Sequence, residues 1–169
     1  MNKNESTKFV SFVIARIKND KACRAALRRA DNPSTEYQSW EYLAFFNIDL
    51  SNPSIRLPYA TIAAAIAKAT PKEDGFSGIG KAIATCYKEG NKSDQAKAKL
   101  RRLLACDSVE EVCRILRPLF SLIESKSSTR LNFNRLLHEL LNFKWDDQGV
   151  KSGWAQDFYG LLPEGKEEQ

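Results

Sequence analysis

The sequence has few residues of the kinds that metal sites and catalytic centres need. It contains one histidine, His138, and four cysteines, none of them in a Cys-x-x-Cys pair. Structural zinc sites take three or four such ligands at close spacing, so no familiar zinc motif is present. The carboxylates occur only as scattered pairs, whereas two-metal nucleases need several that converge. We therefore expect no metal, no cofactor, no small-molecule substrate and no enzymatic activity.

Long hydrophobic runs are also absent. No segment approaches the roughly 20 apolar residues that a membrane span needs. The first eight residues include two lysines and a glutamate and lack the apolar stretch of a secretory signal. We expect a cytoplasmic protein with no membrane partner. In that compartment thiols stay reduced and behave as small core residues, which is our expectation for Cys23, Cys86, Cys106 and Cys113.

Helical periodicity runs along almost the whole chain. Apolar residues recur three and four positions apart, and no run of alternating β-branched residues occurs. The 169 residues are 43% hydrophobic, enough to bury a core. The pattern predicts an all-α protein, a two-lobed helical bundle of about eight or nine helices. Residues 91–93 are the best boundary between an N-terminal lobe, residues 1–92, and a C-terminal lobe, residues 93–169, which ends in a short acidic tail over residues 163–169.

Capping residues and prolines predict where individual helices begin. They give a first helix from Ser6 to Lys18, an aromatic-rich third helix capped by Thr35 with Gln38, and a fourth from Pro58 after a loop over residues 47–57. Four later helices have predicted caps at Ser93, Ser108, Asn132 and the Asp146–Asp147 pair.

A glycine-rich segment, Gly75 to Lys81, resembles the loops that hold phosphates. Its spacing matches neither the P-loop nor the dinucleotide-binding fingerprint, and no strand precedes it. We therefore interpret it as a loop that leads into a helix.

The net charge of +5 and the pI near 9.0 are unevenly distributed. Residues 1–92 carry 14 basic and 9 acidic side chains, whereas the last seven residues are net acidic. A basic body attracts anionic partners because its summed charge steers their approach. A well-solvated surface without a partner remains an equally open interpretation of the charge alone.

Two helices carry basic residues without acidic ones among them. On the second helix Lys21, Arg24 and Arg28 recur at i, i+3 and i+7, with Arg29 beside them. On the sixth, the outward arc holds Lys97, Lys99, Arg101 and Arg102. Solvated helices usually mix signs, because Glu–Lys pairs stabilise them and like charges cost a few tenths of a kcal/mol. These faces indicate a track for a polyanion; a plain surface is the alternative.

No element for base-specific recognition is present. The sequence shows no helix-turn-helix, zinc finger or aromatic RNA-binding motif. Binding would then be to the backbone and sensitive to salt, and arginine suits phosphate better than lysine. The strongest candidates are therefore Arg24, Arg28, Arg29, Arg101 and Arg102. We expect four aromatic residues of the third helix to be core rather than base-stacking platforms: Trp40, Tyr42, Phe45 and Phe46.

Several segments in order resemble the CasB family, the small subunit of the type I-E CRISPR surveillance complex Cascade. The C-terminal signature lies in residues 131–141 and 154–159. The N-terminal double-arginine helix lies in residues 25–30, and the glycine-rich start of the middle helix in residues 78–82. Residues 100–104 and 116–120 resemble the basic, leucine-containing helices of the family. The match spans about residues 9–160.

The resemblance implies a non-catalytic, two-lobed helical protein of antiviral defence. In that family two copies lie along the inner side of Cascade beside CasC, with CasA, CasD and CasE as further partners. They help to hold guide RNA and target DNA, including the displaced strand. The positions that would contact nucleic acid, or in part neighbouring subunits, are Arg28, Arg29, Lys81, Lys99 and Arg117. A departure is the last helix, where Lys151 to Gln156 stands in place of several arginines that relatives often carry.

Two other functions remain open from the sequence. A protein-interaction adaptor would use the basic faces against acidic partner surfaces and would make no contact with nucleic acid. A small nuclease would need clustered carboxylates or histidines, which this sequence does not supply.

Overall fold

The structure, a computed structural model, describes residues 3–160 and is built from α-helices. Within these residues the only β pairing is an isolated bridge between Ser77 and Leu131, so the all-α prediction is confirmed. The helices are α1 (Lys3–Asn19), α2 (Lys21–Arg28), α3 (Trp40–Phe45), α4 (Pro53–Ala69), α5 (Ile79–Ala84), α6 (Asp94–Leu104), α7 (Val109–Lys126), α8 (Phe133–Asn142) and α9 (Asp147–Tyr159). Short 3₁₀ turns cover Arg29–Asp31, Glu36–Ser39 and Gly90–Lys92.

Part of the sequence interpretation falls outside the described residues. The predicted acidic tail, residues 163–169, lies there. Across residues 3–160, no helix is both long and apolar enough to cross a membrane.

Side-chain caps start four helices at the predicted places. Ser93 Oγ accepts a hydrogen bond from the Ala96 N–H, and Ser108 Oγ accepts one from the Glu111 N–H. At α8 the amide oxygen of Asn132 accepts from the Arg135 N–H at 2.8 Å. At α9 the carboxylate of Asp146 accepts from the Gly149 N–H at 3.0 Å. Each cap satisfies an N–H group that the first turn of a helix leaves without a backbone partner.

Two predicted helix starts are wrong. Ser6 lies inside α1 and is buried, and its hydroxyl donates to Asn134 Oδ1 at 2.8 Å. It therefore ties α1 to α8 instead of capping α1. The hydroxyl of Thr35 donates to the Arg29 carbonyl at 2.7 Å and makes no capping hydrogen bond to the 3₁₀ turn that follows.

The predicted loop over residues 47–57 is shorter than expected. Helix α4 already begins at Pro53, where Asn52 accepts a hydrogen bond from the Ser54 N–H. Pro58 lies one and a half turns further on, inside the helix and buried. Both prolines suit the first turn of a helix, where an N–H group is dispensable, and the sequence offered no reason to prefer the earlier one.

Helix α4 forms the centre of the packing. Its residues 59–67 are all buried, and five of those nine are alanines. The small side chains allow α1, α2, α7 and α8 to pack against it. Helices α5, α6 and α9 pack on one another and contact α7 and α8, and α3 contacts α4. Helices from both predicted lobes therefore pack together, and the division at residue 92 stays a prediction.

The glycine-rich segment serves helix packing. A Cβ atom on Gly80 would stand 2.1 Å from the carbonyl oxygen of Trp154, and one on Gly78 would stand 2.0 Å from Asp157 Oδ2. Real Cβ atoms essentially never approach so closely. Gly80 faces backbone atoms and therefore requires glycine, whereas a side chain at Gly78 would force the Asp157 side chain to shift. The glycine-rich segment allows α5 to pack closely on α9. Its glycines are therefore explained by helix packing, and no phosphate is needed to account for them.

Candidate nucleic-acid interface

The basic side chains of the described residues divide into two classes. Six form ion pairs with carboxylates: Arg16, Arg56, Lys68, Arg130, Arg135 and Lys151. The second class contains every residue that the sequence analysis proposed for nucleic-acid contact, and within residues 3–160 none of them forms an ion pair. These ten are Lys21, Arg24, Arg28, Arg29, Lys81, Lys97, Lys99, Arg101, Arg102 and Arg117.

The carboxylate nearest the cations of α2 already has other partners. Asp20 accepts a hydrogen bond from the Cys23 N–H at 2.9 Å and pairs with Arg16 at 2.8 Å. Both interactions hold the pKa of Asp20 below its ordinary value, and the hydrogen bond from the Cys23 N–H has the larger effect. Lys21 and Arg28 remain exposed on the helix.

Arg24 is half-buried and lines a cavity of about 290 Å³ together with Lys18 and Lys72. The Lys18 ammonium donates to the Lys72 carbonyl at 3.0 Å. No carboxylate is among the lining residues. The fold thus adds two lysines, 54 residues apart, to the basic face of α2, a grouping that helical periodicity alone does not contain.

Arg29 lies just past α2, in the 3₁₀ turn. Its guanidinium donates to the side-chain oxygen of Gln38, and the residue remains exposed.

A second basic site lies between α6 and α7. Lys99 and Arg102 of α6 line a cavity of about 220 Å³ with Arg114 of α7 and with Tyr87, and we call it the α6–α7 cavity. Its floor is an apolar stripe of α7, formed by Ile115, Pro118, Leu119 and Leu122. None of its lining residues is acidic.

Arg114 is the residue that the sequence analysis missed. It also lines the next cavity, of about 280 Å³, where Arg117 lies. Its position three residues before Arg117 places both on one helix face, and that spacing was the available signal. Arg114 therefore connects the α6–α7 cavity to Arg117.

The environment of Arg117 contains acidic residues as well. Glu36 and Glu110 line the same cavity, but Glu36 pairs with Arg56 at 3.0 Å. The Nε–H of Arg117 is buried and has no hydrogen-bond partner among the described residues. A buried donor without a partner is uncommon in folded proteins, and Thr61 Oγ1 is another such atom among the described residues.

The remaining candidates do not join these cavities. Lys81 is exposed on α5, and Lys97 and Arg101 lie on α6 outside the cavity. Helix α2 packs on α1 and α4, whereas α6 packs on α5, α7 and α9. The two basic faces therefore belong to different parts of the bundle.

A contrasting cluster lies where α8 meets α9, and we call Arg135, Glu139, Trp154 and Asp157 the Arg135 cluster. Arg135 pairs with Glu139 at 2.9 Å and with Asp157 at 2.7 Å. The Trp154 indole donates to the other oxygen of Glu139 at 2.8 Å. Burial raises the pKa of Glu139, and the bonds from Trp154 and Arg135 oppose that rise. Every charge of this cluster has a partner inside the protein.

The single histidine and the four cysteines are buried or half-buried. Within residues 3–160, no group of three or more histidine, cysteine or acidic side chains is placed to hold a metal ion. His138 is half-buried, and burial is the main cause that lowers its pKa. Cys23, Cys106 and Cys113 are buried as expected, and Cys86 is half-buried.

Three of the four aromatic residues expected in the core are half-buried and pack against it: Trp40, Tyr42 and Phe46. Phe45 departs from this expectation, with 70% of its surface exposed. It stacks on Phe12 with ring centres 5.5 Å apart.

A family model for the CRISPR-associated protein Cse2 matches residues 23–159. The chain belongs to the Cse2 family. The match covers the double-arginine helix, the glycine segment and the Arg135 cluster, and it confirms the resemblance on which the sequence analysis relied. No curated protein matches this chain at a significant level.

Solved structures share the fold of this Cse2-family chain. A Cse2-family protein from Thermus thermophilus superposes with a TM-score of 0.75 at 21% identity, covering 92% of this chain and 97% of the other. CasB from M. ruber gives 0.72 at 24%, covering 92% and 93%. A chain from a CRISPR RNA-guided surveillance complex gives 0.70 at 23%, covering 94% and 92%.

Proposed function

We propose that this Cse2-family protein is a non-catalytic structural subunit of the type I-E Cascade complex. It binds nucleic-acid backbone without sequence specificity and stabilises the R-loop formed by guide RNA and target DNA, including the displaced strand. Its partners are a second copy of itself and the subunits CasA, CasC, CasD and CasE. The family assignment supports this proposal, as does the fold shared with a chain of an RNA-guided surveillance complex.

The unpaired charge of the candidate residues carries the proposal. Across residues 3–160, carboxylates neutralise six other cations but none of the ten candidates. An anionic backbone would supply the missing counter-charges, and its condensed counterions would be released on binding.

Backbone binding fits the division of labour in RNA-guided complexes. Guide pairing reads the sequence there, while the protein holds backbone and the displaced strand. A subunit with this task needs cations and no base-reading element. The basic faces of α2 and α6 meet that requirement.

The proposal is tested in the assembled complex with Arg28→Ala/Arg29→Ala and with the corresponding double glutamate variant. Arg130→Ala is the matched control, because Arg130 is also an exposed arginine but pairs with Glu73. We expect both double variants to remain in the complex and to lower retention of target DNA, the glutamate variant more. The control should retain DNA as the parent protein does.

The adaptor hypothesis predicts the opposite division of effects. Under this hypothesis, the double variants lower the number of subunits in the complex. Complexes that still contain the variant subunit retain target DNA as the parent complex does. The exposed Phe45, stacked on Phe12, favours a protein contact on another face, because exposed apolar patches often mark interfaces. Subunit stoichiometry, measured beside DNA retention, separates the two functions.

A further inference from the structure

The α6–α7 cavity combines an apolar floor with a cationic rim. The spacing of Ile115, Pro118 and Leu122 places them on one face of α7, and all three are at least partly exposed. They form an apolar strip on α7 beside the side that Val112 and Leu116 bury, and Ile115 and Leu122 pack in part against the core. An apolar stripe beside unpaired cations is suited to a ligand that is itself part apolar and part anionic.

A nucleotide has that composition. Its base has an apolar face that stacks on aromatic and apolar side chains, and its phosphate is recognised by arginine and lysine. Tyr87 supplies an aromatic ring at the cavity, and Lys99, Arg102 and Arg114 supply the cations. Pockets for drug-sized molecules usually measure about 300–1,000 Å³. The α6–α7 cavity, at about 220 Å³, is smaller than these pockets, so it would hold no more than one nucleotide.

We propose that the α6–α7 cavity holds one nucleotide of a single-stranded nucleic acid, with the base on the apolar floor and the phosphate on the cations. The inference rests on the proposed function and specifies its ligand, since bases stacked in a duplex cannot reach a concave site. A single strand continues naturally from it, because Arg114 also lines the cavity that holds Arg117.

An acidic, leucine-containing segment of a protein partner is the competing occupant. Such a helix would need a groove several turns long, whereas this cavity extends along only the Ile115–Leu122 segment of α7. The three cations among its lining residues also exceed what a single partner carboxylate requires. The observations therefore favour a nucleotide.

The first measurement compares binding of a fluorescent thymidine strand of about 20 nucleotides, longer than the site of a single binding module, with binding of a duplex of equal length to the purified full-length protein. The single strand should bind at least about fivefold more tightly than the duplex, as one stacked base allows. Arg114→Ala should weaken single-strand binding about tenfold, as expected for one charge-assisted contact. The matched control Arg130→Ala should change it less than about twofold, because its exposed ion pair contributes little.

The second measurement isolates the base. An abasic strand keeps every phosphate but has no rings, and it should bind roughly fivefold or more weakly, in line with the loss of stacking. In Tyr87→Ala the intact and abasic strands should bind alike. If thermal melting shows that this variant is unfolded, Ile115→Ala, at a half-exposed position of α7, takes its place.

Four results overturn the inference: no binding of the single strand, equal binding of the duplex, equal binding of the abasic strand, or an Arg114 variant that matches the control. Displacement of the strand by an acidic leucine-containing peptide at lower concentration would assign the cavity to a protein partner. If the Arg28/Arg29 variants still reduce target retention, only this inference fails. If they too are without effect, the proposed function fails with it.

Discussion

The Arg135 cluster and the α6–α7 cavity use similar side chains in opposite ways. In the cluster, Arg135 has two carboxylate partners, and Trp154 bonds to one of them. The lining of the α6–α7 cavity around Arg102 and Arg114 contains no carboxylate, although Arg114 also lines the next cavity with Glu36 and Glu110. The first arrangement satisfies its charges inside the fold, whereas the second leaves them for a ligand.

The residues that identify the family and the residues proposed to bind nucleic acid therefore lie in different places. The cluster lies in residues 131–141 and 154–159, the signature that resembles CasB most directly. Its residues hold α8, α9 and the glycine segment together, so they are required for the fold. The residues proposed for nucleic-acid contact lie elsewhere, on α2, α5, α6 and α7 and in the turn after α2. Substitutions in the two regions should therefore affect different properties.

The largest effect on stability is expected at Gly80, next to the cluster. In Gly80→Ala the new Cβ would lie 2.1 Å from the Trp154 carbonyl oxygen, and relieving that overlap should cost about 2–3 kcal/mol. Gly153→Ala is the matched control, because a Cβ there meets nothing within 4 Å. It should stabilise α9 by about 0.5–1 kcal/mol. Urea unfolding measures both, and equal effects would contradict the close contact of α5 and α9.

Removal of the central cation should have the next largest effect. Arg135→Ala leaves the mostly buried Glu139 carboxylate without its cation, and should cost about 2 kcal/mol of unfolding free energy, less than a fully buried pair because Arg135 is 39% exposed. Arg130→Ala removes an exposed pair and should cost about 0.5 kcal/mol or less. If urea unfolding shows that both variants lose the same free energy of unfolding, the Arg135 cluster contributes no more to stability than an exposed ion pair.

A smaller, pH-dependent effect is expected from Glu139. Burial raises its pKa in the folded protein above the ordinary 4.5, so between those two values the native state binds more protons than the unfolded one. The contribution of Glu139 to stability therefore falls as the pH rises through this window and returns on acidification. Glu139→Gln should remove that component. Unfolding curves from about pH 4.5 to about pH 7 for both proteins would show parallel profiles if the idea is wrong.

Local chemistry explains which parts of this structure could be predicted. The caps at Ser93, Ser108, Asn132 and Asp146 depend on bonds between residues close together in the sequence, and they were found. The start of α4 was missed because Pro53 and Pro58 carry the same local signal, and tertiary packing decides between them.

The candidate site was predictable only in part, for a similar reason. Helical spacing identified the faces of α2 and α6, since their basic residues are neighbours in the sequence. Lys18 and Lys72 join Arg24, and Arg114 joins Lys99, only through contacts between distant segments. Whether a given arginine is paired also depends on the fold, as the contrast between Arg102 and Arg135 shows.

The most direct test of unpaired cations as backbone contacts is the salt dependence of target-DNA binding by the assembled complex. Each phosphate contact contributes a slope of about 0.9 on duplex and about 0.7 on single strands in a plot of log K against log salt. We predict that Arg101→Ala/Arg102→Ala lowers the slope by about 1.4 to 1.8, with unchanged stoichiometry, and that Arg130→Ala leaves it unaltered. A slope identical to that of the parent complex would contradict the account.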